Sequence, residues 1–544
     1  MDGNRGRDRF FLVGGGIASL AAAAFLIRDA GVPGDRIRIL EAAARPGGAL
    51  LSGELPDRPS LYLGNAVRGM DEESYVCLWD LLGSIPTVSD PRTSVLAEIR
   101  AANRETPIEA RARLIGADHR IVDPDLHLDT ADRAQLLALL AGPDEELAGR
   151  RVDQVLPAHL LASDFWILWS TTYRLRQGSS ALDLKTSLLR HLHDLPRLPT
   201  LAGLRRTRRS EHQSIVEPLH GWLRDQGVMF TQGATVTDMD IADDGTGGRR
   251  VTCLRYTVHG IPNTLDLGPH DHVLATLGSM TANAAHGDDD SPPEPDLVRR
   301  DGTWGLWESI GRRHTDLGRP DVFTAHVADT AWLSFTLTMS TPDLAWQVSN
   351  LTGNESGTGG LITFRDSPWL LTLAVPHQPH FSGQRPTART ALGYGMRLDT
   401  RGDHVPVTML QANGRQLVEE LIGQLDITRG EAIVRATTNV ASVLLPYASS
   451  PLAPRSPGDR PEPVPAGARN FAFLGQYVEI PGHVAFTMEY SVRSAMHAVY
   501  GLLGVDREIP GAHEPGPNRT DEAAEADVAH WARAAAPPAI EDNW

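Results

Sequence analysis

Short runs of apolar residues alternate with segments of helical periodicity along most of this chain. Residues 10–13 (FFLV) form an unbroken apolar run typical of a buried parallel strand, and a glycine turn follows it. The spacing beyond the turn predicts a helix over 18–30 and a second strand over 36–40. The order of strand, turn, helix and strand predicts an α/β fold with a parallel sheet.

The same criteria predict further elements. Helices are predicted over 129–140, 165–173, 182–193, 214–226 and 487–503, and strands over 234–240, 251–258, 272–277 and 470–474. The ranges 331–338 and 360–375 indicate longer strands that line a pocket. An acidic, proline- and alanine-rich tail follows residue 506, with one helix predicted over 521–535.

The glycine turn GGGIAS, residues 14–19, carries the main chemical signal of the sequence. In such a turn Gly14 permits a tight bend and Gly16 lets the backbone approach a pyrophosphate at the helix N-terminus, while Ser19 is small enough for close helix packing. Glu41 ends the second strand, where an acid accepts hydrogen bonds from a ribose. Together these residues predict a dinucleotide site.

The segment after Glu41 favours FAD over NAD. Gly47 and Gly48 let the backbone pass close to the cofactor, a layout typical of the large FAD folds. The stretch over 470–495, with Gly475 and Glu479 in its loop, predicts a strand and helix that return to the first sheet beside the flavin. We therefore predict a Rossmann-like, doubly wound FAD-binding domain, discontinuous in sequence, with a mixed α+β substrate domain.

The expected domain boundaries follow from this assignment. The FAD-binding domain comprises 8–90, 201–290 and 431–505, with a helical lid region over 91–200, a substrate-binding domain over 291–430 and the acidic tail over 506–544.

Composition and charge exclude several classes of function. The net charge of -17 argues against a nucleic-acid partner. Lys185 is the only lysine, which argues against Schiff-base and P-loop chemistry, and Cys77 and Cys253 are the only cysteines, so we expect no disulfide framework and no metal site. No run approaches the ~18 apolar residues of a transmembrane helix, and no signal peptide is expected. We therefore expect the protein in the cytoplasm.

Several stretches between residues 10 and 503 carry a family resemblance. They include CLWDLLGSIP, FWILWSTTYRL, SIVEPLHGWL, GSMTANAAHG, DGTWGLWESI and GDRPEPVPAGARNFAFLGQYVEIPGHVAFTMEYSVRSAMHAVY. Together they resemble the fatty acid (oleate) hydratases, once called myosin-cross-reactive antigens. The GSMT motif, which contains Ser279, and the final block are specific to that family. The chain is identified as a divergent member.

The resemblance implies addition of water to the cis-9 double bond of a free unsaturated fatty acid, converting oleate to 10-hydroxystearate. It also implies a requirement for FAD, although the reaction is redox-neutral. Flavin contacts are expected at Ser279 and in the loop with Arg68 and Gly69. Thr437, Thr438 and Asn439 are expected to hold the fatty-acid carboxylate; a strand-end turn is the alternative interpretation.

The loop that contains Met70 departs from the family pattern. Counted back without gaps from Cys77, Met70 stands where the family has the glutamate thought to activate water, and a similar count places Ser187 at the proton-donating tyrosine. A methionine cannot act as a base. Three interpretations stay open: Glu72 or Glu73 takes over the role, another acid or the flavin acts, or hydration has been lost.

The acids at Asp71, Glu72 and Glu73 have a second interpretation, as an N-terminal cap for the helix that runs to residue 82. The dense basic run of Arg205, Arg206, Arg208 and Arg209 also has two interpretations. It attracts anionic lipid head groups at a membrane surface or a fatty-acid carboxylate, or it is a solvated face.

Two other functions compete with hydration. One is a flavin-dependent oxidase or desaturase of the amine-oxidase or phytoene-desaturase type, and the other is a non-enzymatic lipid binder with an FAD fold. The long-chain fatty acid is the expected ligand under the hydratase interpretation, and a monomer or homodimer is expected.

Overall fold

The computed structural model describes residues 7–65, 68–295 and 302–511. Its helices are α1 Ile17–Arg28, α2 Val76–Ser84, α3 Val95–Glu105, α4 Thr130–Ala141, α5 Asp144–Leu147, α6 Ala158–Leu161, α7 Asp164–Tyr173, α8 Ala181–His191, α9 Glu217–Asp225, α10 Gly302–Arg313, α11 Pro320–Thr324, α12 Val327–Thr330, α13 Asp343–Thr352, α14 Gly414–Gln424, α15 Glu431–Thr437 and α16 Met488–Leu503. The predicted helix over 521–535 lies outside the described residues.

The strands are β1 Arg9–Val13, β2 Ile37–Glu41, β3 Gly53–Leu55, β4 Arg58–Leu63, β5 Met70–Asp71, β6 Leu114–Ile115, β7 Ile121–Val122, β8 Leu204–Arg205, β9 Met229–Gln232, β10 Ala234–Asp243, β11 Arg249–Val258, β12 Ile261–Asp266, β13 Asp271–Thr276, β14 Ala285–Gly287, β15 Trp332–Met339, β16 Ile362–Phe364, β17 Thr372–Ala374, β18 Arg389–Gly395, β19 Thr438–Leu445 and β20 Phe471–Leu474.

A parallel sheet with the strand order β20-β13-β1-β2-β9 carries the predicted dinucleotide turn. Strand β13 lies between β1 and β20, with Val13 opposite Ala275 and Thr276 opposite Leu474. Parallel strands end at the same edge of a sheet, where ligands of open α/β folds bind. The ranges 8–90, 201–290 and 431–505 thus all contribute strands to one edge.

Side chains of this sheet alternate between two cores. Phe10 and Leu12 face one core, which they share with the helices α1, α2, α9 and α16. Phe11 and Val13 face the other, which they share with the antiparallel strands β10 and β11 and with helix α10. The run IASLAAAAFLIR of α1 has apolar residues around its whole circumference, which suits a helix packed on nearly all sides.

A buried amide joins the antiparallel strands to the parallel sheet. Asn470, which is fully buried, donates from Nδ2 to the carbonyl oxygens of Val251 at 3.0 Å and Asp271 at 2.8 Å. Its Oδ1 accepts a hydrogen bond from the Val251 N–H at 2.8 Å. The side chain therefore satisfies backbone groups at a junction where strand pairing is interrupted.

The second large sheet is mixed, with the order β14-β19-β15-β18-β17-β16-β6-β7. Its central strand β15 is buried along its whole length. Helices α4 to α8 share a core with one face, and helices α13 and α14 share a core with the other. The range 91–200, predicted as a helical lid, therefore supplies the strands β6 and β7 to this sheet as well as most of those helices.

The predicted elements agree with the observed ones to within a few residues at their ends. The range 360–375 is an exception, because it holds two short antiparallel strands, β16 and β17, instead of one long strand. Pro368 lies in the turn between them, and proline cannot donate to a strand ladder. The pattern also missed β12, an edge strand with mostly exposed, largely polar residues.

Candidate active site

The carboxyl ends of the parallel strands open on a groove with a volume of about 1180 Å³. Its walls include the glycine turn after β1, the segment 276–281 after β13 and the segment 475–477 after β20. The groove continues to an apolar end lined by Leu63, Ala284, Val443, Leu445 and Phe486. One cavity thus joins a wall rich in backbone amides to an apolar wall.

Two glycine loops form the amide-rich wall. Gly14 has a φ of +89°, which favours glycine, and a side chain at Gly16 would meet no protein atom within 4 Å. The Gly47 N–H donates to the Gly15 carbonyl at 2.9 Å. A Cβ at Gly48 would lie 3.2 Å from the Cα of Gly16. The loops therefore run in close contact while Gly16 faces open space.

The same wall carries an acid and two helix N-termini. The Glu41 carboxylate accepts a hydrogen bond from the Ala43 N–H at 2.6 Å and one from the Gly15 N–H. Helix α1 begins after Gly16 with no side-chain cap, and the first residue of α16, Met488, also lines the groove. Helix N-termini bind anions. These residues fit the ribose and pyrophosphate of a dinucleotide.

Most of the predicted cofactor residues line this groove: Gly14, Gly16, Glu41, Gly47, Gly48, Arg68, Ser279 and Gly475. Three others lie beside it. Ser19 is fully buried behind the turn, Gly69 packs where a Cβ would meet Leu204, and the Glu479 carboxylate pairs with Arg455 at 2.7 Å. The positions of Ser19 and Gly69 indicate packing roles, and Glu479 serves in an ion pair.

Met70 and Asp71 form the short strand β5, which pairs with β8. The Met70 side chain is fully buried in the core that contains α1 and α2. Asp71 is also buried, and its Oδ1 accepts hydrogen bonds from the Glu73 N–H at 2.7 Å and the Ser74 N–H at 2.8 Å. Asp71 therefore stabilises the turn that precedes α2, but the predicted N-terminal cap is wrong, because α2 begins at Val76 with Tyr75 as its N-cap, no side-chain cap and no acid in its first turn.

Glu72 and Glu73 form ion pairs away from the groove wall. Glu72 lies 3.0 Å from Arg100 and 3.1 Å from Arg205, between α3 and β8. Glu73 has a side chain exposed to 59% and pairs with Arg197 at 3.1 Å. Neither carboxylate lines the groove.

The other oxygen of Asp71 belongs to a buried group of polar side chains that we call the aspartate cluster, made of Asp71, Tyr173, His191, His193 and Asp194. His193 Nε2 lies 2.9 Å from Asp71 Oδ2, and the Tyr173 hydroxyl donates to Asp194 at 3.5 Å. The His191 ring stacks on Tyr173 with 4.4 Å between centroids. Ligand atoms of Asp71, His193 and Asp194 also lie within 4.8 Å of one another, as in metal sites.

The two carboxyl groups of the aspartate cluster titrate differently. Burial alone would raise the pKa of Asp71, but the neighbouring His191, 3.7 Å away, and the hydrogen bond with His193 hold that pKa well below the usual range. Burial, together with the neighbouring Asp71, raises the pKa of Asp194 to about 7. The cluster therefore retains a proton near neutral pH.

Comparisons with known proteins now place the chain. A model of the MCRA family matches residues 7–500. An oleate hydratase of Streptococcus pyogenes serotype M49 (strain NZ131) is 31% identical over 514 residues, which cover 92% of this chain and 86% of that protein. A linoleate hydratase of Lactiplantibacillus plantarum is 27% identical over 539 residues, covering 92% and 94%. The chain belongs to the MCRA family.

Solved structures show the same fold at low identity. A putrescine oxidase bound to putrescine has a TM-score of 0.50 and 11% identity, covering 91% of this MCRA-family chain and 99% of the oxidase. A cyclohexylamine oxidase from Brevibacterium oxydans IH-35A has a TM-score of 0.50 and 13% identity, with the same coverage. The predicted fold class, a discontinuous α/β domain of FAD-binding type with a mixed second domain, is confirmed. Among the described residues, no helix is both long and apolar enough to cross a membrane.

Ser187 lies near the aspartate cluster in this family member. It is buried in α8 one helical turn before His191, and its Oγ has no hydrogen-bond partner among the described residues. Residues one turn apart share a helix face. Ser187 therefore shares a helix face with His191, while Met70 precedes Asp71 in β5 and its side chain packs in the core with α1 and α2. The run HLHD over 191–194 is the sequence signal of the aspartate cluster, and it was not singled out among the sequence motifs.

The predicted carboxylate ligands lie elsewhere. Thr437 ends α15, and Thr438 and Asn439 begin β19, whereas Val443 and Leu445, which line the groove, stand at the other end of that strand. Thr437, Thr438 and Asn439 are not part of the groove wall.

We expect Gly16→Val to remove flavin binding without harming the fold. The valine side chain would project into the open space where the pyrophosphate of FAD is expected to lie. Steric overlap of this kind costs ~1–3 kcal/mol or more, so the affinity for FAD should fall at least about tenfold. Flavin absorbance after reconstitution and the melting temperature provide the measurements. Gly221→Val, also at a glycine with open space around it but outside the groove, is the control. Full flavin occupancy in Gly16→Val would remove the dinucleotide assignment.

The raised pKa of Asp194 predicts a pH-dependent stability. Folded Asp194 keeps its proton up to a pKa of about 7, whereas the unfolded side chain loses it at 3.8. Asp194 therefore lowers the free energy of unfolding progressively as the pH rises between these two values, and the full loss is reached above the pKa of the folded state. Asp194→Asn should raise the melting temperature relative to wild type more at about pH 8 than at about pH 5. An equal effect at both pH values would contradict the assignment.

Proposed function

We propose that this protein is an FAD-containing hydratase that adds water to the cis double bond of long-chain unsaturated fatty acids. The observation that carries the proposal is the single groove, in an MCRA-family chain 31% identical to an oleate hydratase, that joins a dinucleotide cradle to an apolar end. Oleate, hydrated to 10-hydroxystearate, is the proposed substrate.

The groove offers each ligand a suitable wall. Gly14, Gly16 and the N-terminus of α1 would hold the pyrophosphate of FAD, and Glu41 would accept hydrogen bonds from its ribose. When bound, FAD supplies a polar ring that shapes and polarises the pocket. Leu63, Val443, Leu445 and Phe486 provide the apolar contacts that an acyl chain requires.

Hydration needs a proton for one alkene carbon and the oxygen of water for the other, and it transfers no electrons. Protonation of an unactivated alkene requires a well-placed acid. The carboxylates of residues 71–73 are engaged by backbone amides, histidine or arginine. Asp194, which lies outside the groove wall and is 2.9 Å from Arg197, belongs to the same cluster as Asp71 and has a pKa raised by burial to about 7. We infer that this aspartic acid is the proton source.

The test is an anaerobic incubation of the full chain with FAD, a reductant and oleic acid, followed by mass spectrometry. A product heavier by one water supports the proposal. A ketone or a new double bond, with oxygen consumed under air, would assign the protein to the oxidase class. Bound but unchanged oleate would assign it to the lipid binders.

Variants of the acids separate the possible proton paths. Glu72→Gln and Glu73→Gln should keep wild-type turnover, because both carboxylates are held in ion pairs with arginine. Asp194→Asn should lower turnover by about 10²–10⁴, the usual contribution of a positioned acid. Initial rates with oleate, beside melting temperatures, provide the measurement. If Glu72→Gln loses a hundredfold while Asp194→Asn loses nothing, Glu72 is the substitute base.

Met70→Glu tests the gap-free alignment in the same series. The new carboxyl group would lie in a core from which Met70 is fully shielded from solvent, and burial of an unpaired charge is strongly unfavourable. We expect a lower melting temperature and no gain of turnover. A gain of turnover would show that this strand moves to bring residue 70 to the substrate.

A further inference from the structure

His286 is the only histidine among the described residues that line the groove. It lies in β14, the edge strand of the mixed sheet, directly opposite Val443 of β19. Side chains of directly opposed residues project from the same face of a sheet, and Val443 also lines the groove. The imidazole of His286 therefore projects from the face that forms the apolar end of the groove.

The residue before His286 in β14 agrees with this orientation. Ala285 is opposite Leu444, and both pack in the core that contains α13 and α14, on the other face of the sheet. Val443 belongs to the core that the sheet shares with α4 to α8. Successive side chains of a strand point to opposite faces. Ala285 therefore faces the interior, and the imidazole of His286 is exposed toward the groove.

His286 lies where the two walls of the groove meet. The segment that precedes it leaves the parallel sheet after β13 and joins the mixed sheet at β14. Ser279 and Thr281 in this segment line the groove beside the amide-rich wall, and Ala284 lines its apolar end. An acyl chain that lies on the apolar wall and extends toward a flavin on the other wall passes this junction.

The carboxylates that line the groove already have partners. Glu41 accepts hydrogen bonds from two backbone amides. Glu54 accepts one from the Ser60 N–H, and Asp238 pairs with Arg255 at 2.8 Å. Partners of this kind stabilise the anion and make it a weaker base.

The imidazole of His286 has neither kind of partner among the described residues. Burial alone lowers its pKa, and no charged or hydrogen-bonded side chain contributes. The ring is therefore neutral near neutral pH, and one of its nitrogens offers a lone pair. Histidine in this form is the most frequent general base in enzymes.

We propose that His286 is the catalytic base that accepts a proton from the water that adds to the double bond. The inference rests on the proposed function for the reaction. It assigns to His286 the role that the family resemblance gave to position 70, where Met70 cannot act as a base.

The step balances without a redox partner. The proton from Asp194 forms a C–H bond with one alkene carbon, and the water oxygen forms a C–O bond with the other. One O–H bond of that water breaks, and its proton passes to the imidazole of His286. The imidazolium returns this proton to solvent and Asp194 takes one from solvent, so both groups regain their starting states and no electrons are transferred.

The test compares His286→Gln with wild type in oleate turnover, oleate affinity and flavin content. Glutamine keeps hydrogen-bonding groups but has no basic nitrogen. Turnover should fall by about 10²–10⁴, the usual contribution of a positioned base, while affinity and flavin content stay at wild-type values. The matched control is His127→Gln, at an exposed histidine outside the groove, which should keep wild-type turnover.

Chemical rescue separates a base from a structural role. His286→Ala should lose turnover in the same way and regain part of it when imidazole is added, because free imidazole fits the vacated space and accepts the proton. Wild-type turnover in His286→Gln, a loss explained by weaker oleate binding, or absence of rescue in His286→Ala would overturn the assignment while the proposed function stands. If wild type itself never hydrates oleate, the proposed function fails and the base assignment fails with it.

Discussion

The structure depends on the closure of one parallel sheet from three distant parts of the chain. Strand β13 lies between β1 and β20, so the turns after these strands meet at one edge, where Gly14, Gly278 and Gly475 all have positive φ. The Asn470 side chain joins the antiparallel strands to this sheet, because it forms hydrogen bonds with backbone groups of Val251 and Asp271. Without that register, the walls of the groove would not face one another.

Desolvation explains how charges are arranged around the groove. The chain uses arginine almost exclusively as its cation, and a guanidinium stays charged even where burial lowers its pKa. Glu72, Glu73 and Glu479 are each neutralised by arginine, which keeps them away from the groove. A small pocket lined by Arg68, Arg206 and Arg208 is the opposite case, because there three arginines face only the two carboxylates of Glu105 and Glu211.

The two residues that depart from the family pattern lie on elements that also supply the aspartate cluster. Met70 is a core residue and Ser187 lies on a helix one turn before His191. Both positions border a cluster whose histidines stabilise the anionic form of Asp71, while burial stabilises the neutral form of Asp194. The carboxyl group of Asp194, whose pKa is raised, therefore remains near the two positions where the family's glutamate and tyrosine have been replaced.

The sequence alone determined the fold class and the cofactor cradle. Local signals suffice there, because the turn of residues 14–19, the acid Glu41 and the glycines 47 and 48 act through backbone geometry within about forty residues of chain. Family-specific stretches over most of the chain pointed to the hydratases. Neither kind of signal depends on how distant segments pack.

Only the tertiary structure decided which side chains meet. Asp71 and Asp194 are far apart in sequence, and the raised pKa of Asp194 arises because folding buries it beside Asp71. Arg206 and His380 lie far apart in the chain and line one small pocket together with Arg68. The family resemblance implied that Thr437, Thr438 and Asn439 hold the substrate carboxylate, but it is the other end of β19 that lines the groove. Long-range packing has no local signature, so spacing rules did not reveal these sites.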